Sequence, residues 1–537
     1  MFDWIIQNGT IIDGAGGEPY TADLAILGGK IAAIGRRLGP AVHTLDAAGK
    51  TVTPGFIDIH RHADSAVFRP GFGELELRQG LTAIINGNCG LSLAPVEGPY
   101  RQAVLDYLLP VTGPVDEAVP IASMADYLAG TEGLPIHTGM LVGLGTIRAS
   151  VAGYFQERLD LGQVREIRRI LLRSLEEGAA GVSLGLGYAP DCFCTTDELA
   201  ELLEPLRGKD VPVTVHMREE GDKVCEALEE MLEIARRVDV PVHISHLKAI
   251  GRRNWNSKIP QAIQMLNNAR AQGLDVTCDA HIYTAGSTQL IHILPPDYLV
   301  GGVEGITRRL SDPAKRAELA ERILHGTDFD NIAGLVGWEG IYCSTLNRPE
   351  NRPYVGKNFM EIADAMGKDP FTCACDILVS ERCAVTMIDF ISDETDILRI
   401  LKLPYSAVIS DGTYPVNGKM HPRVCGTCAH VIEKFVLHDH ALTLPQAVAS
   451  MTGIPARALR LPGKGVLAPG MDADLCVFDP ANIHERATYD APERMSEGMD
   501  WVFVSGTPAI AEGRLTGTRT GKSIRREAGR IFTSPRG

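Results

Sequence analysis

The sequence predicts an α/β protein built on a (β/α)8 barrel of the TIM type. Strand-like runs alternate with amphipathic helical stretches through the middle of the chain, and this alternation indicates a parallel sheet with helices outside it. About seven or eight such units over roughly 400 residues fit a closed barrel better than an open doubly wound sheet. The chain also lacks the G-x-G-x-x-G fingerprint that would favour a dinucleotide-binding fold.

The alternation is clearest between residues 161 and 247. Strand-like runs there are AGVSLGLG (180–187), VPVTVHM (211–217) and VPVHISHL (240–247). The stretches LGQVREIRRILLRSLEEG (161–178) and DKVCEALEEMLEIARRV (222–238) repeat apolar residues at helical spacing. Strands and helices therefore follow one another in the order that a barrel requires.

Two parts of the chain depart from this rhythm. Residues 1–55 and 460–537 alternate short apolar runs with Gly-rich turns, so we expect the two ends to pair in a small β-sandwich beside a barrel of residues 56–459. From about 287 to 376 the sequence shows no clear strand, several helical runs and many prolines. A barrel loop of that length predicts an inserted helical lid.

The composition argues against several classes of protein. A formal net charge of −15 disfavours a nucleic-acid partner or an anionic membrane surface. No run reaches the roughly 18 apolar residues of a membrane span, and the N-terminus MFDWIIQNGTIIDG lacks the features of a secretory signal. The 12 cysteines are irregularly spaced, which is typical of free thiols in a reducing compartment. We expect a cytoplasmic protein, and the sequence leaves its oligomeric state open.

The first candidate metal ligands are His60 and His62 in GFIDIHRH. Residues i and i+2 of a strand share a face, so both imidazoles can point at one ion inside the barrel. The apolar run that starts at Pro54-Gly55 favours an interior strand over a pair of surface histidines. Asp58 has the same parity and is placed to orient a ligand histidine.

Four further candidates end strand-like runs, where barrel enzymes place their chemistry. They are Cys89 (AIINGNC), His216 (VPVTVH), His246 (VPVHISH) and Asp411 (AVISD). Thiolate and imidazole are strong zinc ligands, and an aspartate beside a metal can also act as a base. Singly, each residue is more often structural; together they predict a metal site. His243 competes with His246, because it lies on the opposite face of its run and parity does not say which face is inward.

These motifs resemble the N-acyl-D-amino-acid deacylase (D-aminoacylase) family of the amidohydrolase superfamily over nearly the whole chain. The resemblance is carried by TPGFIDIHRHAD, INGNCG, HMREEG, SHLKAIG, YTAGST, SDG, HPR, MTGIPA and GVLAPGMDADLCVFDP. The GNCG cysteine combined with SHLK and HPR is specific to this branch, whereas the His-x-His indicates only the superfamily. The resemblance implies zinc-dependent hydrolysis of N-acyl-D-amino acids, small molecules that yield a carboxylic acid and a D-amino acid.

The family pattern also implies two sets of metal ligands. One tightly bound zinc would be held by Cys89, His216 and His246. A second, weaker position would share Cys89 and use His60, His62 and Asp411. Many two-zinc amidohydrolases bridge their metals with a carboxylated lysine on the fourth strand, but the matching strand here, AGVSLGLGY, contains no lysine. This difference favours Cys89 as the bridge.

The same pattern implies the residues that act on the substrate. Asp411 would be the general base, and the substrate carboxylate would be bound by Arg423, Lys248 and Tyr283. A guanidinium group matches a carboxylate with two parallel hydrogen bonds. Lys248 shares strand parity with His246, so it can reach the same cavity.

The sequence departs from the family pattern at four places, one of them the tail RTGKSIRR, where the family tends to have Pro-Gly-Arg. Arg61 stands inside the His-x-His, where a small polar residue is common. His281-Ile282-Tyr283 replaces Tyr-Pro-Tyr, and CGTC (425–428) follows HPR in place of Tyr-Gly-Thr-Phe. These changes keep the metal and carboxylate sets but leave the acyl and side-chain pockets open.

Three alternatives stay open at this level. A cyclic-amide hydrolase of the hydantoin or dihydropyrimidine type would not need a carboxylate site at Arg423, and its bridge would typically be the missing lysine. A deaminase of a heterocycle is another reaction of the same superfamily. A non-catalytic scaffold on this fold would typically lose metal ligands that this chain retains.

Overall fold

The computed structural model describes residues 1–526, so 527–537 of the predicted C-terminal region lie outside the described residues. The chain begins with strands that belong to a sheet apart from the parallel core. They are β1 (Phe2–Ile11), β2 (Tyr20–Leu27), β3 (Lys30–Gly35), β4 (Ala41–Asp46) and β5 (Thr51–Pro54). Strand β1 pairs antiparallel with β2 and parallel with both β4 and β5.

Parallel strands then alternate with helices. The strands are β6 (Phe56–Asp58), β7 (Arg61–His62), β8 (Leu81–Asn86), β9 (His137–Met140), β10 (Val142–Gly143), β11 (Val182–Gly185), β12 (Val213–His216), β13 (Val242–Ile244) and β14 (Val276–His281). The helices are α1 (Glu74–Arg78), α2 (Arg101–Thr112), α3 (Met124–Gly130), α4 (Leu144–Ala152), α5 (Leu161–Glu176), α6 (Thr196–Leu203), α7 (Val224–Val238) and α8 (Lys258–Ala271). One parallel ladder joins β6, β8 and β9, and a second runs from β10 to β14.

Local sequence explains these elements. Every residue of β11, β12 and β13 is buried, as expected for parallel strands covered on both faces. Helix α5 starts at Asp160, whose carboxylate accepts hydrogen bonds from the backbone amides of Gly162 and Gln163. The apolar residues of α7 recur at helical spacing and form its buried face.

A long insertion follows β14 and combines helices with an antiparallel sheet. Its elements are β15 (Ala285–Gln289), α9 (Gly302–Ser311), α10 (Pro313–His325), α11 (Ile332–Val336), β16 (Ile341–Thr345), α12 (Phe359–Met366), α13 (Pro370–Ser380) and β17 (Thr386–Phe390). The sheet has the order β15–β17–β16. The expectation that 287–376 contains no strand was wrong, because IYCST at β16 is a short run among prolines and glycines, too short to show a strand period.

The chain then returns to the parallel core. Its elements are α14 (Glu394–Leu401), β18 (Ser406–Ile409), β19 (Gly412–Thr413), α15 (Arg423–His430), α16 (Leu444–Met451) and α17 (Gly453–Ala458). Strand β18 pairs parallel with β14, and β19 pairs with β7. The Asp411 amide donates to the His60 carbonyl at 2.9 Å, so the last parallel strand ends beside the first. The α/β class is confirmed; the ladders form separate sheets, and full closure of the barrel stays a prediction.

The C-terminal strands complete the first sheet. They are β20 (Leu475–Phe478), β21 (Met499–Val504), β22 (Thr507–Ala511) and β23 (Arg514–Leu515). Strand β20 pairs antiparallel with β5, so both ends of the described chain join in one nine-stranded sheet. The expected pairing of the two ends is present. That this sheet folds into a two-layered sandwich stays a prediction. Within residues 1–526, no helix combines the length and the apolar character that crossing a membrane requires.

Candidate metal centre and substrate cavity

The predicted metal ligands all lie at or just after the carboxyl ends of parallel strands. They are His60 and His62 (after β6 and in β7), Cys89 (after β8), His216 (end of β12), His246 (after β13) and Asp411 (after β18). Cys89, His246 and Asp411 have φ angles of 55°, 37° and 51°, in the left-handed region that non-glycine residues rarely adopt. Such conformations persist only where the surrounding structure fixes them, and they cluster at functional sites.

The sulfur of Cys89 lies between two groups of ligands. Its Sγ is 3.3 Å from His60 Nε2 and 3.5 Å from His246 Nε2. His246 Nε2 is in turn 3.1 Å from His216 Nδ1. Cys89, His216 and His246 thus present three ligand atoms within 4.8 Å of one another. This group is the predicted tight zinc site.

Asp411 joins the second group of ligands. Its Oδ1 lies 3.3 Å from His62 Nε2 and 3.5 Å from His60 Nε2. His60, His62 and Cys89 form one triad within 4.8 Å, and His60, His246 and Asp411 form another. The structure therefore brings all the predicted ligands into one cluster with Cys89 shared between its halves.

The protonation states in this cluster suit a cation such as zinc. Burial lowers the pKa of His60, His216 and His246 well below the usual histidine value, so their imidazoles are neutral and have lone pairs to offer. Burial, together with Asp411, raises the pKa of the Cys89 thiol well above its usual value. A nearby cation reverses that effect and favours the thiolate. Sulfur and nitrogen donors at these positions match the ligand chemistry of zinc.

Two buried carboxylates that the sequence analysis did not single out support the ligands. Glu220 Oε1 lies 3.0 Å from His246 Nδ1, and Glu220 Oε2 lies 3.6 Å from His216 Nε2. Asp279 accepts a hydrogen bond from the backbone amide of His246 and lies 2.8 Å from His243 Nε2. Such outer contacts fix the orientation of metal ligands. Glu220 follows His216 by four residues in HMREEG, and this proximity was the signal that could have identified it.

The contacts of Asp279 also separate the two competing histidines of the β13 run. His243 Nδ1 lies 2.7 Å from Thr277 Oγ1, and both of its ring nitrogens are therefore engaged away from the cluster. His246 faces Cys89. The placement agrees with the choice of His246 that the family resemblance favoured. Asp58 orients His60, as expected, and it does so through the backbone. Its Oδ1 accepts a hydrogen bond from the His60 amide at 3.2 Å.

The three predicted carboxylate-binding residues occupy different environments. Lys248 lines the cavity, and its Nζ lies 2.7 Å from Glu220 Oε1. Arg423 is fully buried, with Nη2 3.0 Å from Asp411 Oδ2, and its Nε and Nη1 have no hydrogen-bond partner in residues 1–526. The Tyr283 hydroxyl instead donates to Glu485. Lys248 and Arg423 therefore lie at the cluster, whereas the Tyr283 hydroxyl points away from it.

The cluster opens into a small cavity of about 40 Å³. Lining residues that the sequence analysis did not predict include Tyr188, Glu220, His281, His292 and Asp389. His281 lies where the family pattern has its first tyrosine. Its Nδ1 is 3.0 Å from the Tyr283 carbonyl oxygen, so Nδ1 carries the hydrogen and Nε2 carries the lone pair. Burial, with Arg423 and Lys248 nearby, lowers the pKa of His281 to about 3.

Comparisons with known proteins agree with this geometry. A protein-family model described as "Amidohydrolase family" matches residues 421–510. Two curated relatives from Alcaligenes xylosoxydans xylosoxydans are each 33% identical to this chain. The alignment with a D-aminoacylase covers 98% of this chain and 98% of the relative. The alignment with an N-acyl-D-glutamate deacylase covers 98% of this chain and 97% of the relative. The solved N-acyl-D-glutamate deacylase of Bordetella bronchiseptica, in complex with zinc and a phosphonate inhibitor, superposes with a TM-score of 0.82 at 30% identity, covering 98% of this chain and 100% of that chain.

The fold and the strand-end cluster of histidines, cysteine and aspartate define the class as a metal-dependent amidohydrolase with an α/β fold of the TIM-barrel type. Within that class, the chain belongs to the D-aminoacylase family.

Replacing Cys89 by alanine should abolish tight zinc binding, because it removes the ligand that both halves of the cluster share. Loss of an outer-shell partner alone typically costs about 10–100-fold in metal affinity, and loss of a direct ligand costs more. Metal analysis after dialysis measures this effect. Cys278→Ala, at another buried cysteine in β14, is the matched control and should keep its zinc. Full zinc content in Cys89→Ala would rule out the sulfur as a ligand.

Proposed function

We propose that this protein is a zinc-dependent deacylase that hydrolyses the amide bond of N-acyl-D-amino acids to a carboxylic acid and a D-amino acid. The observation that carries the proposal is the position of Cys89 between the two ligand groups, with Asp411 and Arg423 in contact beside them. The relatives named for D-aminoacylase and N-acyl-D-glutamate deacylase activity align over nearly the full chain. They support D-amino-acid substrates.

In this proposal the ligands serve two metal positions. Cys89, His216 and His246 hold the tightly bound zinc. The second position adds His60, His62 and Asp411, and shares Cys89. The triads Cys89–His216–His246 and His60–His62–Cys89 support this division, and the third triad, His60–His246–Asp411, spans the two positions. When bound, zinc would polarise the amide carbonyl and lower the pKa of a coordinated water.

Asp411 is the proposed general base. Burial alone would raise the pKa of its carboxyl, but the Arg423 guanidinium and the hydrogen bond with His62 hold it well below the usual value. Asp411 is therefore ionised and ready to accept a proton at Oδ1 or Oδ2 from the attacking water. The same carboxyl then delivers that proton to the nitrogen of the leaving amine. Its contact with Arg423 fixes the carboxylate while this transfer occurs.

Arg423 and Lys248 are the proposed ligands of the substrate carboxylate. The Nε and Nη1 atoms of Arg423 are buried and have no partner among the residues that the structure describes, and a carboxylate that reached them would satisfy both. Lys248 offers an ammonium group at the cavity wall. The Tyr283 hydroxyl donates to Glu485, so Tyr283 can bind the substrate carboxylate only after that hydrogen bond is broken.

The proposal includes the arrangement of the chain around the site. Residues 1–55 with 460–537 would form a β-sandwich domain, and 56–459 a closed (β/α)8 barrel in which about 287–376 act as a lid. The shared nine-stranded sheet and the insertion after β14 support this division. A cytoplasmic location is part of the proposal and is supported by the free state of all twelve cysteines. The net charge of −15 supports the absence of nucleic-acid and membrane partners.

A substrate panel tests the function directly. Zinc-loaded protein should release amine from N-acetyl-D-amino acids and not from their L enantiomers, a selectivity that the names of the relatives support. Hydantoin and dihydrouracil belong in the same panel, with ring opening followed by absorbance. Ring opening without deacylation would assign the protein to the cyclic-amide branch and refute the proposal.

Asp411→Asn should keep the zinc on Cys89, His216 and His246 but lower kcat by about 100- to 10,000-fold, because the amide does not accept the proton. Steady-state kinetics on N-acetyl-D-methionine, together with metal analysis, separates these effects. Asp364→Asn, an exposed change of the same kind on α12, is the control and should leave kcat unchanged. Turnover near that of the unmodified protein in Asp411→Asn would exclude this base.

Arg423→Ala should weaken catalysis chiefly on substrates that carry the α-carboxylate. Hydrogen bonds to charged groups contribute about 1.5–3 kcal/mol, which corresponds to roughly 10–150-fold in kcat/KM. The comparison is between N-acetyl-D-methionine and N-acetyl-D-methioninamide, with Arg308→Ala, an exposed arginine on α9, as the control. An equal loss on both substrates would contradict the carboxylate role and assign Arg423 to holding Asp411 alone.

A further inference from the structure

Asp389 places a carboxyl group in the cavity wall that neither the proposed metal centre nor the proposed proton transfer uses. It lies near the end of β17, opposite Gly286 of β15 and Ile341 of β16. Asp389 and Ile391 share a face and both line the cavity, whereas Phe390 between them is exposed. The Asp389 side chain therefore faces the same space as the metal cluster.

This carboxyl is buried, and one of its two oxygens is unpaired among the described residues. Asp389 is 3% exposed, and its Oδ1 has no hydrogen-bond partner in the described part of the chain. Burial raises its pKa to about 6. A buried carboxylate oxygen without a partner costs stability, so the free Oδ1 in the cavity wall indicates an acceptor that a ligand satisfies. Gly286 keeps the space open, since a Cβ there would lie 3.0 Å from Asp389 Oδ1 and 2.7 Å from Ile391 Cδ1.

The cations near Asp389 are already engaged. Among the described residues that line the cavity, Lys248 is the one lysine or arginine, and it is paired with Glu220 at 2.7 Å. Arg423 is paired with Asp411 at 3.0 Å. In the proposed function both cations also bind the α-carboxylate. A second carboxylate, on an acidic substrate side chain, would find no free cation and would face Asp389.

We propose that Asp389 sets the side-chain preference of the enzyme: it excludes the D-aspartate and D-glutamate side chains and favours neutral D side chains, above all those that donate a hydrogen bond. The inference rests on the proposed deacylase function and narrows its substrate class. Like charges brought together in a site cost several kcal/mol, whereas an amide N–H satisfies the free Oδ1. The relatives named for D-aminoacylase and N-acyl-D-glutamate deacylase activity are equally identical to this chain, so identity alone does not choose between the two preferences.

A matched pair of substrates tests this inference. N-acetyl-D-asparagine and N-acetyl-D-aspartate have nearly the same shape and differ in the charge and the donor of one group. The zinc-loaded protein should show a kcat/KM at least about tenfold higher on the asparagine derivative. Asp389→Asn should reduce this preference at least about tenfold, mainly by raising activity on the aspartate derivative.

Two controls accompany the variant. The zinc content of Asp389→Asn should match that of the unmodified protein, because Asp389 is not among the proposed metal ligands. Asp364→Asn makes the same change of charge on the exposed face of α12 and should leave the asparagine preference unchanged.

The outcomes are separable. Equal hydrolysis of the two derivatives by the unmodified protein would overturn the inference even if Asp389→Asn failed to fold, and so would an unchanged preference in a folded variant. Either result would leave the deacylase function in place. Failure of the unmodified protein to hydrolyse any N-acetyl-D-amino acid would overturn the proposed function itself.

Discussion

One electrostatic constraint governs the site: buried ligand atoms with lone pairs converge around Cys89. Burial raises the pKa of the Cys89 thiol and lowers the pKa of the neighbouring histidines, so both kinds of ligand are driven towards their neutral forms. Their lone pairs nevertheless converge, with Cys89 Sγ 3.3 Å from His60 Nε2 and 3.5 Å from His246 Nε2. A shared cation turns this convergence from a cost into a stabilising interaction. The rest of the site is arranged to hold these atoms in place.

The supporting contacts link the metal centre to the groups proposed to bind substrate. Glu220 contacts both His246 and Lys248, and Arg423 contacts Asp411. A displacement of either cation therefore moves a carboxylate that also faces a metal ligand. The same contacts therefore fix both the proposed metal ligands and the residues proposed to bind the substrate carboxylate. This coupling suits an enzyme that must align an amide carbonyl with the metal to within a fraction of an ångström.

The insertion after β14 brings in one wall of the cavity. Strands β15 and β17 carry Gly286 and Asp389 to the cavity, and they belong to an antiparallel sheet outside the parallel core. The metal ligands depend on strand ends that the core fixes. The wall that faces the substrate side chain depends on this insertion, so its polarity can change without disturbing the ligands. That separation is a general property of folds that place function on connections between strands.

The sequence by itself indicated the alternating strand–helix core, the pairing of the two chain ends and the proposed metal ligands, except that the residues left His246 and His243 open. These features follow from local patterns: apolar periodicity, strand parity in His60 and His62, and chemistry-bearing residues at the ends of apolar runs. The tertiary structure places His246 rather than His243 against Cys89, as the family resemblance favoured, whereas strand parity says that two faces differ but not which one is inward. It also decided that His281 rather than the Tyr283 hydroxyl faces the cavity, and that Glu220 and Asp389 line it. These outcomes depend on contacts between residues far apart in the chain, and no local pattern encodes such distances.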